Sequence, residues 1–227
     1  WLIVIGGGGG SGGGGGSGGS GGGSGGVDLE GDLDLECFEV ACAALAKGGG
    51  GMSATEQLTR LVAGDEALLH AFDRFVSASV LPWLKQGLAR AGAAVTHVPL
   101  TFYVQRPPTL RLQPGPSAFS VRPHSDAEYG HQPGELNFWV PLTDAARTRT
   151  TLWAETTPGS ADYHPFEATL GEAVAFYGTG CRHHVPANPS GCTRVSLDFR
   201  VGVEGHFDPH WSMRGTKADH CRAQVTL

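Results

Sequence analysis

Residues Thr193-Arg-Val-Ser-Leu-Asp-Phe-Arg-Val201 alternate strictly between two kinds of side chain. In an extended chain Thr193, Val195, Leu197, Phe199 and Val201 point to one face, and Arg194, Ser196, Asp198 and Arg200 to the other. The first face must lie on a core. The second brings a guanidinium and a hydroxyl together, and a buried arginine is tolerated only where it meets a negative group. The planar fork of arginine suits a carboxylate, and a nearby hydroxyl donates to the same oxygens. Two partners for Arg194 follow: a structural ion pair with Asp198 or a neighbouring strand, or a bound carboxylate.

The surrounding sequence has the same period of two. Val98, Leu100, Phe102 and Val104 alternate with polar residues, and Pro107-Pro108 breaks the run. Further strands are predicted over 109–113, 119–122, 136–142, 151–155, 173–177 and 193–201. Short strands split by Gly, Pro and Asn describe a sandwich or jelly roll. Helices are predicted upstream. Ser53-Ala-Thr-Glu56 fits a capping box, Leu58, Leu61 and Val62 follow at helical spacing, and Leu68, Leu69, Phe72, Phe75 and Val76 form the stripe of a second helix. Pro82 kinks or restarts it. The predicted class is α+β, mainly β: a double-stranded β-helix, or jelly roll, with N-terminal helices packed on it.

Composition sets the limits of this domain. Of the 227 residues, 6–26 are an unbroken Gly/Ser tract and 48–51 a second glycine run. Such sequence buries no apolar surface and behaves as coil. Residues 1–51 are therefore read as a low-complexity linker and acidic segment, expected to be disordered, and 52–227 as the folded domain. Ile5-Gly-Gly-Gly is no dinucleotide loop, because no helix follows it at once. The net charge of -6 arises before Gly51, where six acidic residues face only Lys47; the remainder carries 15 basic and 16 acidic residues. No basic footprint for nucleic acid or for an anionic membrane is present. Trp1-Leu-Ile-Val-Ile5 is too short for a membrane span and lacks the basic flank of a signal peptide. Five unpatterned cysteines read as reduced thiols, so a cytoplasmic location is expected. The chain starts at Trp1 rather than Met, which suggests a fragment or a conceptual translation.

The chemistry starts at Arg122-Pro-His-Ser-Asp126. His124 and Asp126 are two residues apart at the end of a strand-like stretch, so an imidazole nitrogen and a carboxylate oxygen converge. These are two legs of the 2-His-1-carboxylate arrangement that holds Fe(II) with open positions. A distal histidine is the third leg, and Cys181-Arg-His-His184 offers two. Taken alone, His-x-Asp also suits a surface turn. Followed by a distal His and Arg-x-Ser, it is far more specific. Glu135, Asn137 and Trp139 form one side of a strand whose other side is apolar. That side faces either solvent or a partly enclosed cavity, and in the second case Asn137 is placed to meet a ligand. Arg111 is either a surface residue or a carboxylate binder. Tyr129 and His131 follow the metal loop and are candidates for the substrate entrance. His206, His210, His220 and Cys221 form a polar C-terminal extension. A zinc site there is disfavoured, because His220 and Cys221 are adjacent.

Several stretches together resemble one family. They are Gln105-Arg-Pro-Pro-Thr-Leu-Arg111; His124-Ser-Asp126-Ala-Glu-Tyr129-Gly-His131-Gln-Pro-Gly-Glu135-Leu-Asn137-Phe-Trp139-Val-Pro-Leu-Thr143; Leu152-Trp-Ala-Glu155; and Thr193 to Arg200. They resemble the Fe(II)/2-oxoglutarate-dependent oxygenases, and within them a bacterial branch associated with streptomycin biosynthesis. The resemblance runs over residues 95–203. It implies that His124, Asp126 and a distal histidine hold Fe(II), and that Arg194 with Ser196 binds the far carboxylate of 2-oxoglutarate. Asn137 would then reach the near end of the cosubstrate, and Arg111 is a further candidate for binding it. His183 is preferred over His184. The spacings from it to Asn188 and Arg194 match the branch, and His184, next along the strand, faces the other way.

The implied activity is a dioxygenase that couples reduction of O2 to decarboxylation of 2-oxoglutarate, with ascorbate as an accessory reductant. It would hydroxylate a small-molecule metabolite and release succinate and CO2. Desaturation, epimerisation and ring closure use the same centre, whereas halogenation is disfavoured because Asp126 is present. The alternatives are a cupin-type metal-dependent isomerase, which leaves Arg-x-Ser unexplained, and a non-catalytic metal-binding module, against which the intact ligand set speaks. Neither a nucleic-acid nor a membrane partner is expected.

Overall fold

The computed structural model describes residues 3–6, 54–92, 99–211 and 220–227. Residues 7–26 of the Gly/Ser tract and the acidic segment lie outside the described residues, as does Ser53 of the expected capping box. Within 1–51, Ile3–Gly6 is described as a strand, β1.

Three helical segments come first: α1 (Ala54–Gly64), α2 (Glu66–Phe75) and α3 (Leu81–Arg90). Asp65 caps α2, its side chain accepting from the Leu68 amide at 3.0 Å, which satisfies one of the amides a helix start leaves open. Pro82 does not stop the helix. A single π-helical turn, Val76–Val80, precedes it, and the Leu81 amide reaches the Val76 carbonyl. The wider turn accommodates a residue that brings a ring and no N–H.

The strands follow: β2 (Thr101–Gln105), β3 (Thr109–Gln113), β4 (Val121–His124), β5 (Glu135–Pro141), β6 (Trp153–Ala154), β7 (His164–Pro165), β8 (Glu172–Phe176), β9 (His183–Val185), β10 (Arg194–Val203) and β11 (Arg222–Thr226). A one-turn helix, α4 (Ala145–Thr148), follows β5. The strands form two sheets. The larger has the order β1-β8-β5-β10-β2-β11, with β3 also beside β10, and the smaller has the order β4-β9-β6-β7. Every described pairing is antiparallel.

Alternation along each strand divides the apolar residues between two cores. On one side of the large sheet Phe102, Phe138, Leu197, Phe199 and Val201 meet Phe72, Val76, Val80, Leu81 and Leu84 of the helices. Phe72 meets Phe199 edge-on at 5.0 Å, and Phe138 stacks on Phe199 at 5.1 Å. On the other side Trp139, Val174 and Phe176 meet Leu152, Ala154, Phe166 and Val185, with Val121 packed against them. This second core lies between the sheets. Two antiparallel sheets enclosing one core, with helices on the outer face of the larger, make the expected double-stranded β-helix.

Four details differ from the sequence reading. Leu61 is exposed, so α1 contributes Val62 and not Leu61 to the interior. The strand placed at Phe119 starts at Val121, and Phe119 is exposed. β7 was not foreseen, because a run of two residues carries no readable period, and β9 was expected only as the strand that bears His183 and His184. The C-terminal tail is no mere polar extension. Residues 222–226 form β11 along β2, in the register Arg222↔Gln105 to Thr226↔Thr101. Its apolar content is too small to announce a strand, and the backbone pairing holds it.

Candidate metal centre

β4 and β9 are neighbours in the small sheet, and their register sets His124 opposite His183. The chain then leaves β4 through Ser125 into a single 3-10 turn, Asp126–Tyr129, closed by a capping box between Ser125 and Glu128. That turn swings Asp126 inward, and its amide donates to the Gly178 carbonyl at 2.9 Å. The outcome is a cluster of three groups. One ligand atom from each of His124, Asp126 and His183 lies within 4.8 Å of the others. No other such cluster of His, Cys, Asp and Glu occurs among the described residues. Nothing there joins His206, His210, His220 and Cys221 into one.

The three groups are held in ligand-ready forms. His124 Nδ1 lies 2.8 Å from the Arg122 carbonyl, and His183 Nδ1 lies 3.2 Å from the Cys181 carbonyl. A carbonyl only accepts, so each Nδ1 carries the proton and each Nε2 presents its lone pair. His183 Nε2 stands 3.5 Å from Asp126 Oδ1. The other oxygen, Oδ2, accepts from Arg200 Nε at 2.8 Å and from Asn137 Nδ2 at 2.6 Å. Oδ1 is thus the oxygen left for an ion. Burial pushes the Asp126 carboxyl up, but the Arg200 guanidinium, His183 and the Asn137 amide outweigh it and hold the carboxyl well below its usual range. Burial pushes the His183 imidazole below its ordinary value. Carboxylate and neutral imidazole are the forms a metal takes. Hydrogen bonds that fix the far side of each ligand are what ordered metal sites require.

His184 points the other way. It stacks on Trp153 and meets Tyr163 edge-on, while the buried His183 faces the cluster.

A cavity of about 340 Å3 opens on this cluster, and its lining also includes Arg194, Arg111 and Asp198. Arg194 is buried, with one amino group on Ser196 Oγ at 3.0 Å and the other near Gln113 Oε1 at 3.3 Å. Its Nε is buried and has no hydrogen-bond partner. Among the described residues no carboxylate lies within ion-pair distance of Arg194. Asp198, the alternative partner, is taken by Arg111 at 3.0 Å. Burial pulls the Arg194 guanidinium down to about 10, so it stays a cation at neutral pH. A buried cation with an unused donor, facing a cavity, suits an entering carboxylate.

The remaining candidates take different places. Asn137 and Arg111 both line the cavity. Asn137 donates to Asp126 and leaves its buried Oδ1 without a partner. The side of β5 that carries Glu135, Asn137 and Trp139 is buried throughout, so it faces the interior and not solvent, with Asn137 on the cavity and Trp139 in the core between the sheets. Sequence reasoning missed Arg200, which anchors Asp126, and Gln105, which accepts from Arg200 at 3.0 Å. The alternation of β10 held the signal for Arg200, since it shares a face with Arg194 and Ser196. Gln105 gave none.

No family model matches the chain. The streptomycin biosynthesis protein StrG of Streptomyces griseus is 36% identical over 108 residues, which are 48% of this chain and 50% of that protein. Among solved structures, the nickel complex of the non-heme monooxygenase ThoJ is 18% identical, with a TM-score of 0.43, over 75% of this chain and 71% of that one. The non-heme α-ketoglutarate-dependent carbocyclase SnoK from nogalamycin biosynthesis is 19% identical, with a TM-score of 0.40, over 59% and 58%. A prolyl-4-hydroxylase of Pseudomonas putida is 18% identical, with a TM-score of 0.38, over 74% and 80%. Likenesses this distant carry nothing about reaction or substrate. The present chain spans about half the length of the curated relative it matches, and over that stretch it is a relative of a streptomycin biosynthesis protein, in agreement with the branch its motifs resemble.

Proposed function

We propose that residues 52–227 form an Fe(II)- and 2-oxoglutarate-dependent dioxygenase that hydroxylates a small-molecule metabolite and releases succinate and CO2. One observation carries the reading: three ligand-ready groups lie within 4.8 Å of one another, in the same cavity as a buried arginine whose Nε has no partner.

Each residue has a role in this reading. His124 Nε2, Asp126 Oδ1 and His183 Nε2 would hold the iron, and the remaining coordination positions stay open to the cavity. Iron, when bound, supplies the redox chemistry that couples O2 reduction to decarboxylation of the cosubstrate. Arg194, with Ser196 beside it, would grip the far carboxylate of 2-oxoglutarate. Asn137 and Arg200 hold the Asp126 carboxylate in one orientation. Asn137 Oδ1 is left to meet the near end of the cosubstrate, and Arg111, paired with Asp198, lines the cavity beside Arg194. Val121, Leu152, Phe176 and Val185 give the cavity an apolar wall that limits the water around the reacting groups.

The test is direct. Protein supplied with Fe(II), ascorbate and 2-oxoglutarate should release succinate and CO2 even without substrate, and omission of any of Fe(II), O2 or 2-oxoglutarate should stop the release. Metal binding without any succinate from 2-oxoglutarate would refute the oxygenase reading. No described helix is long and apolar enough to cross a membrane.

A further inference from the structure

Arg194 has a neighbour directly across the sheet. β3 runs beside β10 with Gln113 opposite Arg194, and opposed residues of paired strands carry their side chains to the same face. Both residues are buried. The Gln113 amide is used at both ends. Its Nε2 donates to the Pro186 carbonyl at 2.8 Å and to the Phe119 carbonyl at 3.2 Å, while its Oε1 accepts from an amino group of Arg194 at 3.3 Å. Carbonyls only accept, so these two fix which end of the amide faces them. The amide oxygen is thereby turned toward Arg194.

Those carbonyls belong to two loops, one after β3 and one after β9. Asn188 ties the same loops together. Its Nδ2 donates to the Gln113 carbonyl at 2.9 Å and to the Cys192 carbonyl at 2.8 Å, and its own carbonyl accepts from the Ser117 amide at 2.9 Å. Gln113 cannot turn its side chain without leaving buried polar groups unpaired, which is costly. It is a fixed stop for the guanidinium.

The stop is also neutral. Arg111, Arg200 and Arg222 are each held by a carboxylate, of Asp198, Asp126 and Glu135 respectively. Arg194 is held by an amide oxygen and a hydroxyl. An amide oxygen orients the fork and leaves its charge uncompensated. A carboxylate in that place would supply the negative group that burial calls for, and would compete with one that enters.

We propose that Gln113 is the positioning residue of the carboxylate site: it aims the Arg194 fork and, being neutral, leaves the charge of the fork to the bound carboxylate. This rests on the proposed function for the identity of that ligand, the far carboxylate of 2-oxoglutarate. Gln113 is not among the residues that line the cavity, so it acts through Arg194.

The experiment titrates the full chain, loaded with Mn(II), by calorimetry with 2-oxoglutarate and with 2-oxobutyrate, which has the same 2-oxo acid end and no far carboxylate. The parent should bind 2-oxoglutarate more tightly. Gln113→Met keeps the length of the side chain and removes Oε1. It should weaken 2-oxoglutarate binding about tenfold and leave 2-oxobutyrate and Mn(II) binding unchanged. Gln113→Glu should weaken 2-oxoglutarate binding further, since Arg194 then has an internal carboxylate. In an Arg194→Ala background Gln113→Met should cost nothing more, because effects that pass through one side chain do not add. A folded Gln113→Met protein with the parent's preference overturns the proposal. An equal loss for the two acids does the same, as does a second loss in the Arg194→Ala background. A Gln113→Glu protein that binds 2-oxoglutarate at least as tightly as Gln113→Met overturns the role of neutrality. A parent that binds Mn(II) but shows no preference for 2-oxoglutarate overturns the role of Arg194 in the proposed function, and this proposal with it. Failure to bind Mn(II) overturns the metal reading and this one together. A measurement on the unaltered, metal-free chain decides even where the Gln113 variants do not fold. Each amino group of Arg194 should give separate proton NMR signals, identified by their loss in Arg194→Lys, because both groups are held. Signals averaged by free rotation overturn the proposal.

Discussion

Arg200 Nε donates to Asp126 Oδ2 at 2.8 Å, linking the middle of the longest strand to a one-turn helix 74 residues earlier. Both side chains are buried. The pair does two things for the cluster. It balances a carboxylate that burial alone would protonate, and it occupies one oxygen so that the other faces His183. Arg200→Ala would leave that carboxylate oxygen with the Asn137 amide as its remaining support from β5 and β10. Outer hydrogen bonds of this kind are worth about 10–100-fold in metal affinity, and a loss of that size is expected for Arg200→Ala in a Mn(II) titration. Asn137→Ala, which removes a neutral donor, should cost less. An Arg200→Ala protein that is folded and binds Mn(II) as tightly as the parent would show that the ion does not use Asp126.

The two adjacent histidines give a second test. His183 is buried against the cluster, while His184 lies between Trp153 and Tyr163. His183→Ala should abolish both succinate release and stoichiometric Mn(II) binding. His184→Ala should retain both and lose only some packing, at about 1–3 kcal/mol in a denaturant melt. The reverse pattern in the titration would make His184 the ligand.

How far the sequence predicts this centre depends on what each residue's neighbours are. His124 and Asp126 were legible because they lie close in sequence, and His183 and Arg194 because a strand's period assigns them a face. Ser196 was legible with Arg194 for the same reason. Partners joined only by folding were not. Arg200 finds Asp126 and Gln105 across strands, and Arg111 finds Asp198 through the β3–β10 register, Ser196↔Arg111 and Asp198↔Thr109. The helices and the long strands were visible as apolar periods. β7 has two residues, too few to show a period, and β11 is held by its pairing with β2. The tail histidines suggested zinc or nothing, yet β11 carries Arg222 to Glu135 and places His220 on the cavity.

Glycine 178 tests how tightly the second layer is built. A Cβ added there would fall 2.6 Å from Asn137 Cγ, well inside contact distance. The Gly178 carbonyl also receives the Asp126 amide. Gly178→Ala should displace the Asn137 amide from Asp126. Overpacking of this kind costs about 1–3 kcal/mol of stability, and Mn(II) affinity should fall with it. Gly191, where an added Cβ meets nothing within 4 Å, is the control. Gly191→Ala should melt at or above the parent temperature, with unchanged metal binding. Parallel behaviour of the two variants would mean that Asn137 does not set the position of Asp126.

The far end of the cavity is tested by Arg194. Its guanidinium reaches Ser196 and Gln113, neither of which is charged, and its Nε is buried without a partner. A cation held this way within the protein lacks the negative group that burial calls for. The nearby Asp198 does not supply it, because it is bound to Arg111. If the far carboxylate of 2-oxoglutarate is the missing group, removing the fork should cost about 2–5 kcal/mol of cosubstrate binding. Arg194→Ala should therefore raise the 2-oxoglutarate concentration needed for half-maximal succinate release at least about tenfold, while Mn(II) binding at His124, Asp126 and His183 is kept. Arg194→Lys should restore part of the loss, since an ammonium supplies the charge without the two parallel donors. Ser196→Ala should have a smaller effect in the same direction. The metal titration separates this outcome from general damage to the fold. A folded Arg194→Ala protein with the parent's 2-oxoglutarate dependence would leave Arg194 a structural residue of β10 and return the cavity to the isomerase alternative.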